Sequence, residues 1–274
     1  MPAPGLDRDG FIRREGDLAL VPPAFAPVVD AAKTAILDTF GPDRLHSGYL
    51  YGSIPRGTAV PGVSDLDMLL ALRREPTDAD RQAAAALESM LDTRFTQING
   101  AGIGLASTAT LLSDLERHDL GWFVACLCTP LIGADLAAQL PRYRPTSLLA
   151  RETNGDLGDI LPRWHTQLHD ASTDADLKAL SRRAGRRLVR TGFTLVMPRW
   201  GGWTSDLGES AAAFGHYYPA QRGQMEVAAE VARAGRLAAA ADARANSCAA
   251  GRLRAGWRPV PRDRHPGLGA RSAP

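Results

Sequence analysis

The sequence has little net charge, few cysteines and no long apolar run, and each shortage argues against a class of protein. Of its 32 basic residues only Lys33 and Lys178 are lysine, and the basic side chains exceed the 30 acidic ones by two. A net charge this close to zero argues against a nucleic-acid binder that depends on bulk electrostatic attraction. No apolar run approaches the ~20 residues of a membrane-spanning helix, so we expect no membrane partner.

The cysteines indicate a reduced environment. Cys126, Cys128 and Cys248 are odd in number and form no CxxC motif, so neither a disulfide framework nor a zinc ribbon is expected. The first two would share one face if they lay on a strand, and we interpret them as small buried hydrophobic residues. Three prolines interrupt the first apolar stretch, 18–29, which a signal peptide would not carry. We therefore expect a cytoplasmic protein.

The organisation of the chain changes about halfway along its 274 residues. The first half alternates strand and helix patterns, which is typical of an α/β fold, and helical patterns dominate afterwards. We predict an α/β domain over 1–145 and a C-terminal helical bundle over 146–250. The last segment, 251–274, contains six arginines and little apolar content, which favours a disordered basic tail over a nucleic-acid-binding one.

Individual elements follow from spacing and capping signals. Five apolar residues at helical spacing predict a helix that opens near Pro27 and ends at Gly41: Val28, Val29, Ala32, Ile36 and Phe40. Thr77 is positioned to cap a helix that continues to about Thr93. Strands are expected over 66–72 and near 95–106 and 122–132. In the second half, helices are expected over 177–197, 206–217 and 225–245.

The chemistry is concentrated in residues 49–70. An apolar strand leads into Gly52 and Ser53, a tight loop follows, and the next strand begins with Asp65, Leu66 and Asp67. Two carboxylates two residues apart on a strand lie on one face, and they repel each other unless a cation lies between them. Mg²⁺ prefers such oxygen ligands and usually keeps phosphates as well. The Gly52 and Ser53 amides can cradle phosphate oxygens, so this arrangement favours phosphoryl or nucleotidyl transfer.

At these residues the sequence resembles the nucleotidyltransferase superfamily that includes DNA polymerase β. The signature of that family is Gly-Ser, a gap of about a dozen residues, and Asp-x-Asp; here the gap is 54–64. The local sequence is similar to small bacterial members, among them aminoglycoside nucleotidyltransferases and minimal nucleotidyltransferase antitoxins. The resemblance implies a mixed sheet with helices in the α/β domain. It also implies that Asp65 and Asp67 ligate the metal and that Gly52 and Ser53 hold the triphosphate of the nucleotide.

One feature departs from the family pattern. The family usually has a third carboxylate on the strand after the helix that follows Asp-x-Asp, and the matching stretch here, 95–106, contains no Asp or Glu. A carboxylate from the helical domain could replace it, and our candidates are Asp206 and Glu209, of which we favour Asp206 because Thr204 or Ser205 could cap a helix there. The alternative is a nucleotide-binding regulatory or interaction module with degraded catalysis.

Three further patterns are less specific. Arg182, Arg186 and Arg190 share one helix face, which could bind a triphosphate, with Arg186 as our nucleotide-binding candidate, or could simply be solvated. His165 and His169 are one turn apart, but no third zinc ligand is evident. An aromatic group around Gly201 is expected to pack in a core rather than stack on a ligand: Trp200, Trp203, Phe214, Tyr217 and Tyr218.

Together these observations predict an Mg²⁺-dependent enzyme. We expect it to transfer AMP from ATP to an acceptor hydroxyl on a small molecule such as an aminoglycoside, or on a protein or RNA partner. The sequence does not identify the acceptor, the nucleotide base or the oligomeric state.

Overall fold

The computed structural model describes residues 4–234, which pack as two compact units. One is formed by Arg13–Tyr143 and the other by 4–12 together with 144–234. The first described residues therefore belong with the helical unit, where Leu6 and Ile12 are buried, and the chain enters the α/β unit at Arg13. The predicted tail over 251–274, and the part of the helix expected over 225–245 that follows residue 234, lie outside the described residues.

A four-stranded mixed sheet forms the centre of the α/β unit. Its strands are β1 (Leu45–Tyr51), β2 (Leu66–Leu72), β3 (Ala101–Ser107) and β4 (Thr129–Gly133), in the order β3-β2-β1-β4. Strand β1 pairs antiparallel with both β2 and β4, whereas β2 and β3 are parallel. The mixed sheet predicted from the sequence is confirmed.

Helices cover both faces of this sheet. On one face α1 (Ala26–Arg44) and α2 (Asp78–Arg94) enclose the larger core cluster, and on the other α3 (Thr108–Leu111) and α4 (Leu120–Cys126) enclose a smaller one. Alternate residues of β2 enter the two clusters, as the period of a strand requires: Leu66, Met68 and Leu70 enter the first, and Leu69 and Ala71 the second.

Capping and spacing located several elements correctly. The predicted strand over 66–72 is β2, and all five apolar residues predicted for α1 are buried. The regular part of α1 ends at Gly41, where φ is +60°. Thr77 and Asp80 form a reciprocal capping box that begins α2, and this box satisfies two backbone donors that the helix itself cannot.

Two strand predictions need correction. The stretch near 122–132 is not one strand, because Leu120–Cys126 forms helix α4 and β4 begins only at Thr129. Likewise, β3 begins at Ala101 and leaves 95–100 irregular. A short apolar run does not distinguish a buried helix from a strand, and this ambiguity caused the first error.

The two cysteines of this region are buried. Cys126 ends α4 and Cys128 precedes β4, so they do not share a strand, but both are buried. Burial raises the pKa of the Cys126 thiol to about 12 and the pKa of Cys128 well above its usual range. Since the thiolate is the reactive form of cysteine, the interpretation of these residues as small hydrophobic ones is confirmed.

Within the described residues, five α-helices build the second unit around one long central member. They are α5 (Ser147–Asn154), α6 (Leu157–Asp170), α7 (Asp174–Trp200), α8 (Leu207–Tyr217) and α9 (Arg222–Ala234). Helix α7 packs against the other four. The helices expected over 177–197 and 206–217 are thus confirmed with small changes at their ends, and α9 confirms the first part of the helix expected over 225–245. Helices α5 and α6 were not among those expected. Across the described residues, no helix combines the length and apolar character needed to cross a membrane.

Glycines bring α7 close to α9. A Cβ atom on Gly185 would lie 2.7 Å from the Ala228 carbonyl oxygen, and one on Gly192 would lie 2.5 Å from the Met225 methyl group. The first neighbour is backbone, which cannot move without displacing α9. Gly185 therefore sets how closely the two helices approach.

We expect Gly185→Ala to destabilise the protein by about 1–3 kcal/mol through overpacking, although alanine is the better helix former. The matched control is Gly223→Ala on α9, where no heavy atom lies within 4 Å of the added methyl group. That control should be neutral or more stable than the parent by up to about 1 kcal/mol. Urea unfolding measures both, and equal stabilisation by the two changes would show that the α7–α9 contact is not tight.

Candidate active site

The two carboxylates stand at the beginning of β2. Asp65 immediately precedes the strand and Asp67 is its second residue. Because Leu66 and Met68 point into the larger core, Asp65 and Asp67 take the opposite face. Asp65 is only 7% exposed, whereas Asp67 is partly exposed. The strand therefore presents two acidic groups side by side, as the Asp-x-Asp spacing predicts.

Gly52 lies directly against the second carboxylate. Tyr51 at the end of β1 is the Cα partner of Asp67, so Gly52 directly follows the last residue pair of this antiparallel ladder. Gly52 has φ +84°, and a Cβ on it would lie 2.7 Å from Asp67 Oδ2. Both the backbone conformation and this close approach require glycine. The structure thus brings together two candidates that are fifteen positions apart in the sequence.

The loop after Gly52 is a compact, anchored turn. The Ser53 carbonyl accepts a hydrogen bond from the Thr58 amide at 3.0 Å, and the Gly57 amide donates to the Ile54 carbonyl at 3.1 Å. The Ile54 side chain is completely buried in the larger core. The Gly52-Ser53 segment is therefore held by a defined turn, which is what a backbone that receives phosphate oxygens needs.

Asn99 is a site residue that the sequence analysis missed. Its side-chain amide donates to Asp65 Oδ1 at 3.0 Å, and its backbone amide donates to the Ser64 carbonyl at 3.0 Å. The bond fixes the orientation of the Asp65 carboxylate. The sequence analysis placed Asn99 inside the strand expected near 95–106 and gave it no role, because the parallel pairing of β2 with β3 that brings it to Asp65 is a tertiary property.

The strand beside the acid pair carries no carboxylate. In the parallel ladder Gly102 is the partner of Asp67, and Gly104 is the partner of Leu69. Partners in a ladder face the same side of the sheet, so Gly102 lies beside Asp67 and Gly104 is the next residue of β3 on the same face. Among residues 4–234, no group of three or more histidine, cysteine or acidic side chains is arranged to hold a metal ion.

The candidate base has a structural role in the helical unit. Asp206 is exposed and caps α8, since its Oδ1 atom accepts a hydrogen bond from the Glu209 amide at 2.8 Å. The Glu209 carboxylate accepts a hydrogen bond from the Thr204 hydroxyl at 2.6 Å. Arg186 lies on α7 and is partly buried. The catalytic role of Asp206 and the nucleotide-binding role of Arg186 stay predictions.

Two of the less specific patterns have structural explanations. His165 and His169 are exposed on α6, and within the described part of the chain they belong to no metal-binding group. Trp203 and Phe214 are buried. Trp203 packs edge-to-face on Phe193 with ring centroids 5.7 Å apart, so core packing is confirmed for the centre of the aromatic group.

Comparisons with known proteins agree with this architecture. The structure is similar to the crystal structure of spectinomycin adenyltransferase AAD(9) from Enterococcus faecialis, which was solved with ATP and spectinomycin. The similarity covers 82% of this chain and 98% of that one, with 15% sequence identity and a TM-score of 0.52. No protein-family model and no curated protein matches the chain. The chain therefore has a nucleotidyltransferase-type fold, with a mixed sheet in one unit and a C-terminal helical domain in the other.

Proposed function

We propose that the chain is an Mg²⁺-dependent nucleotidyltransferase that transfers AMP from ATP to the hydroxyl group of an acceptor. The observation that carries this proposal is the contact between Gly52 and the Asp67 carboxylate at the junction of β1 and β2. It places a turn whose backbone can receive phosphate oxygens next to an acid pair that can bind a cation. A fold alone supports many functions, so the argument depends on this juxtaposition.

The residues present fit a magnesium ion. Asp65 and Asp67 offer hard carboxylate oxygens on one strand face, and one oxygen of Asp65 is oriented by Asn99. Proteins usually bind Mg²⁺ through one or two carboxylates and leave its other coordination positions to substrate phosphates and water. When bound, the ion would neutralise charge on the triphosphate and on the leaving pyrophosphate.

The turn supplies the complementary part of the site. We assign the backbone of Gly52 and Ser53, together with the Ser53 hydroxyl, to binding of phosphate oxygens. Because Gly52 has no side chain, a phosphate group and Asp67 can both approach its backbone closely. Arg186 is proposed as an additional cationic contact to the nucleotide, since guanidinium groups bind phosphates through two parallel hydrogen bonds.

For the acceptor we propose a small molecule that carries hydroxyl groups. The structural neighbour was solved with spectinomycin, which favours a compound of the aminoglycoside class over a protein or an RNA. Asp206 is proposed as the general base that takes the proton from the acceptor hydroxyl. Such help is worth about 10²–10⁴-fold in rate.

A second candidate function is a nucleotide-binding module without efficient catalysis. The observation that favours it is the pair of glycines, Gly102 and Gly104, on the strand beside the acid pair. Phosphoryl-type transfer depends on positioning and charge, so a site that lacks one carboxylate can bind a nucleotide and transfer it slowly.

The proposal is tested by incubating the protein with Mg²⁺ and each labelled nucleoside triphosphate over a panel of acceptors. Release of pyrophosphate that requires a hydroxylated small molecule supports the transferase. Tight nucleotide binding without release of pyrophosphate in the presence of any acceptor supports the binding module. Failure to bind any Mg²⁺–nucleotide complex would contradict both functions.

We expect Asp65→Asn and Asp67→Asn each to weaken binding of Mg²⁺–ATP at least about tenfold, because each change removes one ligand charge. Calorimetric titration of each variant measures the loss. The matched control is Asp38→Asn, an exposed acid on α1, which should bind as the parent does. If both strand variants kept the parental affinity, the assignment of the metal ligands would be wrong.

A comparison of Gly52→Ala with Gly62→Ala separates the effect of backbone strain on stability from the loss of phosphate binding at the turn. Both glycines have positive φ, +84° and +74°, but only at Gly52 would the methyl group meet an atom within 4 Å, the Asp67 carboxylate. Both variants should therefore lose about 1–2 kcal/mol of stability. Only Gly52→Ala should also lose ATP affinity. Equal ATP affinity in the two variants would move the phosphate site away from Gly52.

Asp206→Asn tests the proposed base without removing the helix cap. Asparagine caps a helix about as well as aspartate, so the free energy of unfolding, measured by thermal unfolding, should stay within about 0.5 kcal/mol of the parent value. The turnover rate should fall about 10²–10⁴-fold. In contrast, Asp206→Ala should lose turnover and also about 1 kcal/mol of stability. Unchanged turnover in the asparagine variant would exclude Asp206 as the base.

A further inference from the structure

A short segment of the α/β unit lies against the candidate phosphate turn. This segment, which we call the strap, comprises residues 14–17. The Asp17 amide donates to the Pro55 carbonyl at 2.9 Å, and the Glu15 amide donates to the Cys126 carbonyl at 3.0 Å. A Cβ on Gly16 would lie 2.3 Å from Thr129 Oγ1 and 3.0 Å from the Cβ of Pro55. The strap is therefore packed tightly between β4 and the turn.

One side chain connects the strap to Gly52. Arg56 donates from Nε to the Gly52 carbonyl at 2.9 Å, and its Nη1 atom lies 3.5 Å from Glu15 Oε2. The side chains are 30% and 16% exposed, respectively. Partial burial makes such an ion pair stronger than one on an open surface. Glu15 thus anchors the Arg56 guanidinium group, and this group is hydrogen-bonded to the Gly52 carbonyl.

The planar peptide bond links the Gly52 carbonyl to the Ser53 amide. The Gly52 carbonyl and the Ser53 amide belong to the same planar trans peptide group, so they point in opposite directions. A hydrogen bond that fixes the carbonyl therefore also fixes the direction of the Ser53 N–H. Gly52 gives the backbone wide conformational freedom, and the bond from Arg56 restricts the orientation of this peptide group.

We propose that Glu15, acting through Arg56, is a positioning residue for the triphosphate of the nucleotide. The inference rests on the proposed function, because it takes the Ser53 amide to be a phosphate donor. Glu15 itself carries a negative charge and would repel a phosphate that touched it. Its contribution is to keep Arg56 on the Gly52 carbonyl, and a preorganised donor binds more tightly than one that must be ordered on binding.

The strap also contains a matched control pair. Arg14 donates from Nη1 to Asp135 Oδ2 at 2.8 Å, and its Nε atom donates to the Ala125 carbonyl at 3.3 Å. These bonds secure the strap to Asp135, which follows β4, and to Ala125 in α4, and neither involves the turn. In Asp135→Asn the charge is lost, but Oδ1 can still accept from the Ala137 amide. Glu15→Gln likewise removes only a charge. The two variants therefore differ in the ion pair that they weaken, which is Glu15–Arg56 in one and Arg14–Asp135 in the other.

The experiment compares Mg²⁺–ATP affinity, affinity for Mg²⁺ alone and urea unfolding for the parent and the variants. Glu15→Gln should weaken Mg²⁺–ATP binding about fivefold, and Arg56→Lys, which loses the Nε donor, about tenfold. Affinity for Mg²⁺ alone should not change in either. The double variant should lose less than the product of the two factors, because both changes act on one network. Asp135→Asn should bind Mg²⁺–ATP as the parent does.

Each result decides between the alternatives. If the parent binds Mg²⁺–ATP and Glu15→Gln binds it equally well, or if Asp135→Asn loses as much affinity, the positioning role of Glu15 is wrong while the proposed function stands. If the effects of Glu15→Gln and Arg56→Lys multiply fully, they do not act through one another and the inference also fails. If the parent itself binds no Mg²⁺–nucleotide, the proposed function fails and the inference falls with it.

Discussion

The approach of the Gly52 backbone to the Asp67 carboxylate is the constraint on which the rest of the site depends. A side chain at position 52 would occupy the space of Asp67 Oδ2, so the turn and the acid pair can coexist only with glycine there. The antiparallel pairing of Tyr51 with Asp67 sets this distance. Burial of Leu66 and Met68 in the larger core holds the register, since a slip by one residue would turn the carboxylates into that core.

Around this contact, neighbouring segments hold each acidic or backbone group in place. Asn99 orients Asp65 from the segment before β3, and Arg56 holds the Gly52 carbonyl with the help of Glu15. The supporting residues come from three separate parts of the chain. This arrangement explains how a turn of only a few residues can offer a preorganised backbone, which is the property that phosphate binding and nucleotidyl transfer require.

The parts of the structure that were predictable from sequence are those encoded locally. The capping box of Thr77, the extent of β2 and the Gly-Ser and Asp-x-Asp spacing depend on neighbouring residues, and the structure agrees with each. Helix α4 was mistaken for a strand because a short apolar run has no decisive period. Asn99 and Glu15 were missed because their partners are 34 and 41 positions away in the chain, and only the tertiary pairing brings them together.

The most direct test of the account is a crystal structure with Mn²⁺ and a non-hydrolysable ATP analogue, in which anomalous scattering locates the metal. We expect a manganese ion about 2.0–2.2 Å from carboxylate oxygens of both Asp65 and Asp67, with the triphosphate on the Gly52-Ser53 backbone. A metal bound only by phosphates and remote from both carboxylates would contradict the central claim, as would a nucleotide bound away from the turn.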